Sequence, residues 1–335
     1  MEMSTTPRWK RKRCLALSGM ILTAFAVGIL ISPGVWSVAS GLTATVSSSL
    51  AKDTKCKLGG TPTGPAYDPA THEIYVPNEF SSEVSVVKSP CTVAATIKLP
   101  SGSEPQAAAF DPANNYVYVV GYDSSQVYVI SGTTIVTTLG GFVGPDALVY
   151  DPCLNGMLVA NFAGANLTLV TSSLHVRGNV PVGTAPDGID YDPYTGAVNV
   201  ANFNDGNSTI IDACTLTSFG YYTTGTGPSG VAYDVECGCD LVPNFVSDTV
   251  TVLGSGTPIT GFDGPTSATW SQAKLAVYVT NDDSGTVWAL GGATGRTIVQ
   301  EITLAVGIDA SAYDAANNDL YVTDSSTGML YVIST

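Results

Sequence analysis

Beyond residue 50 the apolar positions fall in short alternating runs, without the three- and four-residue steps of an amphipathic helix. One run recurs seven times: Ile74-Tyr75-Val76, Val117-Tyr118-Val119, Met157-Leu158-Val159, Val198-Asn199-Val200, Asp240-Leu241-Val242, Val277-Tyr278-Val279 and Leu320-Tyr321-Val322. The third position is valine in every copy. A β-branched side chain at one fixed place in a repeated strand is what a packing layer shared by neighbouring units requires. An aromatic residue, usually followed by aspartate, precedes each run: Tyr67-Asp68, Phe110-Asp111, Tyr150-Asp151, Tyr191-Asp192, Tyr233-Asp234, Trp270-Ser271 and Tyr313-Asp314. Their spacings of 43, 40, 41, 42, 37 and 43 residues match one four-stranded propeller blade.

Within each unit the same order of elements is predicted. The aromatic residue ends a first strand, and Asp-Pro opens a turn at residues 68, 111, 151 and 192. The valine run is the second strand. Asn78, Asn161, Asn202, Asn244 and Asn281 follow, with Gly121 and Asp324 in the other copies, residue types that suit turn geometry. Third and fourth strands come next, before punctuation such as Gly144-Pro145, Ala185-Pro186, Gly227-Pro228 or Gly264-Pro265. The last unit has three strands, and a spare one lies around 54–58, just before Gly64-Pro65. The expected fold is therefore all-β. It is a seven-bladed β-propeller of four-stranded antiparallel blades, its ring closed by the N-terminal strand so that no blade edge is left open.

Tyr278-Val279-Thr280-Asn281 is the tetrapeptide YVTN, and Tyr321-Val322-Thr323-Asp324 differs from it at one residue. On these residues and the repeat, about 280 positions in all, the chain resembles the YVTN-type β-propellers of bacterial exported and archaeal surface-layer proteins. That resemblance implies seven blades and an extracytoplasmic setting, often without enzymatic activity, and it does not specify a ligand. The Gly-His and Trp-Asp pairs of WD40 repeats are absent.

The first 40 residues are of another kind. Arg8, Lys10, Arg11, Lys12 and Arg13 precede an uncharged stretch from Cys14 to Ile31, then Pro33-Gly34 and the small residues Val38-Ala39-Ser40. Residues 1–40 are expected to be a signal peptide or a membrane anchor helix, with 41–53 a linker and 54–335 the propeller. The basic flank keeps the N-terminus inside and the propeller outside. The expected contact with membrane is through this segment only.

Removing the leader sharpens the charge balance: eight basic side chains face 27 acidic ones beyond residue 40. Such a surface repels nucleic acid and anionic lipid and favours cations or basic partners. It equally serves solubility, or life in an acidic or salty exterior.

Blade topology sorts the chemistry-bearing residues onto two faces. The turns between strands one and two and between three and four share one face. Cys56, Cys91, Cys153, Cys214, Cys237 and Cys239 all fall there, an even number that predicts up to three disulfides outside the cytoplasm. Cys214 with Cys237 or Cys239 is the expected bridge, Cys56 with Cys91 a second. A metal reading of Cys237-Gly-Cys239 lacks a nearby histidine. The other face carries the sequons Asn166-Leu-Thr168 and Asn207-Ser-Thr209, both candidate glycosylation sites. It also carries Asp146, Asp187 and Asp309 at matching positions by the central channel, where other blades place Ala66, Gln106, Ser229 and Thr266. These three carboxylates are candidates for a Ca²⁺-like cation or a basic group, or they cap turns. No other cofactor is expected.

No catalytic residue is assigned. His72 and His175, the two histidines, fall on the cysteine face, and no serine or cysteine has an obvious base partner. The expected function is an envelope binding or interaction scaffold for a protein, glycan or small ligand. The alternatives are a lactonase- or lyase-like propeller enzyme with a metal at the channel mouth, and a structural surface component.

Overall fold

A computed structural model describes residues 54–335; the leader and linker expected over 1–53 lie outside the described residues. The described chain forms 28 strands in seven four-stranded sheets. Blade 2 is representative: strands Pro105–Asp111, Tyr116–Gly121, Gln126–Ser131 and Thr134–Gly140 pair antiparallel in sequence order, from the channel outward. Blade 7 closes the ring. Its outer strand is Thr54–Lys57, which pairs with Met329–Ser334 through Thr54↔Val332 and Cys56↔Leu330. Among the described residues no helix is long and apolar enough to cross a membrane.

Local chemistry explains the repeat. In six blades the aspartate that ends the inner strand accepts the N–H two residues on, from Asp68–Ala70 at 2.8 Å to Asp314–Ala316 at 2.9 Å. That hydrogen bond builds the turn into strand two. Later in the same turn a residue takes positive φ: His72, Asn115, Asn155, Gly196, Gly238, Leu275 or Asn318. His72 occupies a place usually given to asparagine or glycine. Its Nδ1 lies 2.8 Å from Tyr67 Oη, as Asn155 Oδ1 lies 2.8 Å from Tyr150 Oη. It is a turn residue.

The asparagines after the valine run have a different role from the turn role expected of them. They are the last residues of strand two, and none has positive φ. Asn78, Asn161, Asn202 and Asn244 are buried and donate Nδ2 to Ser85, Thr168, Thr209 and Thr251 at 2.8–3.0 Å. Each thereby ties strand two to strand three where the ladder ends and satisfies the amide nitrogen, while the buried Oδ1 of Asn78 and of Asn202 has no hydrogen-bond partner among the described residues.

The valine column is fully buried: Val76, Val119, Val159, Val200, Val242, Val279 and Val322 expose nothing. Burial of each contributes about 1.5–2 kcal/mol. Six of the seven seams between blades hold seven to nine buried apolar residues. The seam between blades 4 and 5 holds three, Ala201, Val231 and Val242. Asp190 of blade 4 and Asp240 of blade 5 lie there, and Asn199, paired with Asp190, is buried beside them.

Three disulfides form on the expected face, with one pairing corrected. Cys56 joins Cys91, Cys153 joins Cys214, and Cys237 joins Cys239 within one turn. Cys214 therefore reaches back to blade 3 rather than forward to Cys237 or Cys239 of blade 5. The cause is a regular offset, in which the outer turn of each blade rests on the preceding blade. Tyr75 Oη of blade 1 donates to Gly132 O in the outer turn of blade 2. Ser172, in the outer turn of blade 3, donates to Asp111 of blade 2 at 2.7 Å. Cys91 obeys the same rule, reaching from blade 1 to Cys56 in the strand that completes blade 7.

Candidate functional site at the channel mouth

On the face opposite the disulfides, each inner strand starts irregularly. Register shifts between Pro105 and Ala107, Pro145 and Ala147, Pro186 and Gly188, Pro265 and Ser267, and Ile308 and Ser311 mark bulges. An extra residue there re-aims a side chain. The extra residues are Gln106, Asp146, Asp187 and Thr266, with Asp309 and Ala310 together in blade 7. The isolated bridges Pro62↔Asn78 and Pro228↔Asn244 put Thr63 and Ser229 in the same column. Thr63 is thus the blade 1 member in place of Ala66, because the chain enters the strand at Pro62 and Gly64-Pro65 already lies alongside blade 2.

Hydroxyl members of this column stitch blades together. Thr63 Oγ1 donates to Pro105 O at 3.2 Å, Ser229 Oγ to Pro265 O at 3.2 Å, and Thr266 Oγ1 to Asp309 O at 2.6 Å. Gln106 Nε2 donates to Glu79 Oε1 at 3.0 Å, both buried. Asp146 is buried and Asp187 and Asp309 are half-buried. Asp146 and Asp187 belong to adjacent blades and Asp309 lies on the far side of the ring. Among the described residues no three of His, Cys, Asp or Glu come together as a metal-holding group.

A second column lies just after the buried asparagines: Glu79, Tyr122, Phe162, Phe203, Phe245, Asp282 and Ser325. Each residue donates its N–H to the carbonyl of Thr61, Glu104, Gly144, Ala185, Gly227, Gly264 or Gly307 in its own blade, at 2.8–2.9 Å. The seven bonds hold the column over the starts of the inner strands. Gly144 and Gly227 have positive φ, and glycine there leaves room for a ring of the preceding blade. A Cβ on Gly144 would lie 3.2 Å from Tyr122, and one on Gly227 would lie 3.2 Å from Phe203. Tyr122 and Phe162 meet edge-on, 6.1 Å between centroids at 62°, a favourable aromatic geometry.

The mouth therefore carries an aromatic arc across blades 2 to 5, with Glu79, Asp282 and Ser325 in the same column of the other three blades. The arc is absent from the expected site residues, and its signal in the sequence is the aromatic residue directly after Gly121, Asn161, Asn202 and Asn244. Both histidines are at the other end of the molecule. His175 sits in an exposed turn beside Ser173, 3.1 Å from Nδ1 to Oγ. The sequons Asn166 and Asn207 begin the third strands of blades 3 and 4 on the mouth face.

Fold and mouth together define a closed seven-bladed β-propeller whose channel mouth is built from the starts of the inner strands and the turns after strand two. The virginiamycin B lyase of Staphylococcus aureus superposes with a TM-score of 0.72 and 12% identity, over 85% of this chain and 99% of that one. A catalytically inactive histidine-to-alanine variant of that lyase, bound to quinupristin, aligns over the same shares with 11% identity and a TM-score of 0.72. Kuenenia stuttgartiensis hydrazine synthase gives a TM-score of 0.71 and 13% identity, covering 85% of this chain and 99% of that chain. Identities this low show a shared fold alone. No family profile matches the chain. No curated protein matches it in sequence.

Proposed function

We propose that this chain is an extracytoplasmic binding propeller that holds its ligand at the channel mouth. The carrying observation is the arc of Tyr122, Phe162, Phe203 and Phe245, contributed by four consecutive blades: Tyr122 is buried, the three phenylalanines and Asp187 of the same mouth are half-buried, and Glu79, Asp146 and Asp282 are buried. Such a surface suits a ligand with an apolar face and a cationic group. The half-buried rings of Phe162, Phe203 and Phe245 supply area and cation–π attraction, while the carboxylate of Asp187 complements the charge. The basic-then-apolar leader, the YVTN-type tetrapeptides and the inter-blade disulfides support an envelope setting, with membrane contact through the N-terminal segment.

The test uses calorimetry with a panel of short peptides containing arginine and tryptophan, set against neutral oligosaccharides. Binding by the cationic peptides is expected, weakened on the order of tenfold by Phe162→Ala and by Phe203→Ala. Equal binding by wild type and both variants, or binding of the oligosaccharides alone, overturns the assignment.

The lyase- or lactonase-like alternative draws support from the fold shared with virginiamycin B lyase. This chain's histidines do not lie at the mouth, so a histidine-dependent reaction there has no candidate residue.

A further inference from the structure

The two sequons occupy equivalent places in adjacent blades, yet their surroundings differ. In blade 3, Asn161 Nδ2 donates to Asn166 Oδ1 at 2.8 Å and to Thr168 Oγ1 at 2.9 Å. In blade 4, Asn202 Nδ2 donates to Asn207 Oδ1 at 2.7 Å and to Thr209 Oγ1 at 2.8 Å. Both pairs hold the sequon side chains by their oxygens. The amide nitrogens then part ways. Asn166 Nδ2 is spent on Gly164 O at 2.7 Å, whereas among the described residues the one hydrogen bond of the Asn207 side chain is through its oxygen. The same anchored orientation thus leaves only the Asn207 nitrogen available for a new bond.

The neighbouring strands differ as well. Asn207 pairs with Thr223 of the outer strand Ser218–Thr223. Tyr221, two residues from Thr223, projects to the same side of the sheet, a diagonal neighbour at about 7–8 Å. Tyr221 is 69% exposed, and Phe219 and Tyr222 on this strand are exposed too. The outer strand facing Asn166, Val176–Pro181, has no aromatic residue. Strand Ser218–Thr223 also lacks the guards found on other outer strands, such as Lys98, Arg177 with Pro181, or Glu301. No charged residue occurs from 213 to 233. An aromatic, uncharged edge strand left bare is an aggregation hazard.

We propose that Asn207 carries a glycan whose first sugars lie on the Tyr221 ring and cover this edge, while Asn166 stays unmodified. The C–H face of a neutral sugar is complementary to an exposed, uncharged phenol ring. In the attachment, Asn207 Nδ2 forms a bond to C1 of a phosphate-linked sugar donor held by the host's transferase. The C1–O bond breaks with its electron pair leaving on the phosphate, and the Nδ2 proton passes to a base of the transferase.

Peptide mass spectrometry on the full-length protein from its own host's envelopes tests the assignment. A hexose- or aminohexose-containing mass is expected on the Asn207 peptide and the unmodified mass on the Asn166 peptide. Loss of the glycan, in protein made in a host without the transferase so that Asn207 still accepts from Asn202, is expected to lower Tm by about 2 °C and to promote aggregation. In Tyr221→Ala the same loss of glycan should leave Tm unchanged. An unmodified Asn207, or equal occupancy at both asparagines, overturns the site. An equal Tm shift with and without Tyr221 overturns the stacking.

Discussion

Asp240 of blade 5 faces Asp190 of blade 4 across the one seam that is not filled by apolar side chains. Asp190 accepts the N–H of Tyr191 and, across the seam, that of Tyr233, each at 2.9 Å. Asp240 is 8% exposed, and its Oδ1 has no hydrogen-bond partner among the described residues. Burial, then the charges of Asp190 and Asp192, push its carboxyl up to about 8. Burial pushes Asp190 up to about 6 against the two backbone bonds. Tyr191, Tyr194, Tyr233, Asp192 and Asp234 are the other titratable groups around the pair, none of them a cation.

The seam makes stability fall as pH rises. Below the unfolded carboxylate value of about 4 these acids are protonated in both states. Between there and about 8 the native state keeps protons that the unfolded chain releases, so unfolding is favoured progressively. Asp240→Asn is expected to gain on the order of 2–4 kcal/mol at pH 8 and little at pH 4. Denaturant titrations across pH check this, with the exposed Asp123→Asn as control. An unchanged slope in Asp240→Asn, or an equal change in the control, removes the seam as the cause.

The disulfides define a backward-reaching lattice. Peptide mapping without reductant is expected to recover Cys56 linked to Cys91 and Cys153 linked to Cys214, and no peptide joining Cys214 to blade 5. Cys153→Ser should cost about 2–4 kcal/mol, read by denaturant midpoint.

Ring closure depends on four residues. A chain lacking residues 1–58 loses Thr54–Lys57 and leaves Met329–Ser334 as a bare edge. Such a chain should self-associate, while one beginning at residue 54 stays monomodal by light scattering. Hydrogen exchange at Tyr331 and Val332 should be the most accelerated.

Gly227→Ala tests the support of the mouth. The residue has φ +67°, and a Cβ there would meet Val246 at 2.5 Å. A loss of about 1–3 kcal/mol is expected. Gly254→Ala, with similar φ and open space around it, should cost less.

Much of this architecture is local and therefore readable along the chain. The aspartate after six of the seven aromatics, the invariant valine and the spare strand before Gly64 each act through neighbours a few residues away or through strict repetition. The period alone sets strand count, blade count and the sorting of turns to faces. Relations between blades are another matter. Cys214 meets Cys153 because stacked, twisted sheets lean back on their predecessors, an offset with no signature in any single repeat. Asp190 and Asp240 become costly only when two blades remove water from both. Tyr122, Phe162, Phe203 and Phe245 form an arc only once the ring has closed, since residues some 40 positions apart become neighbours through circular packing.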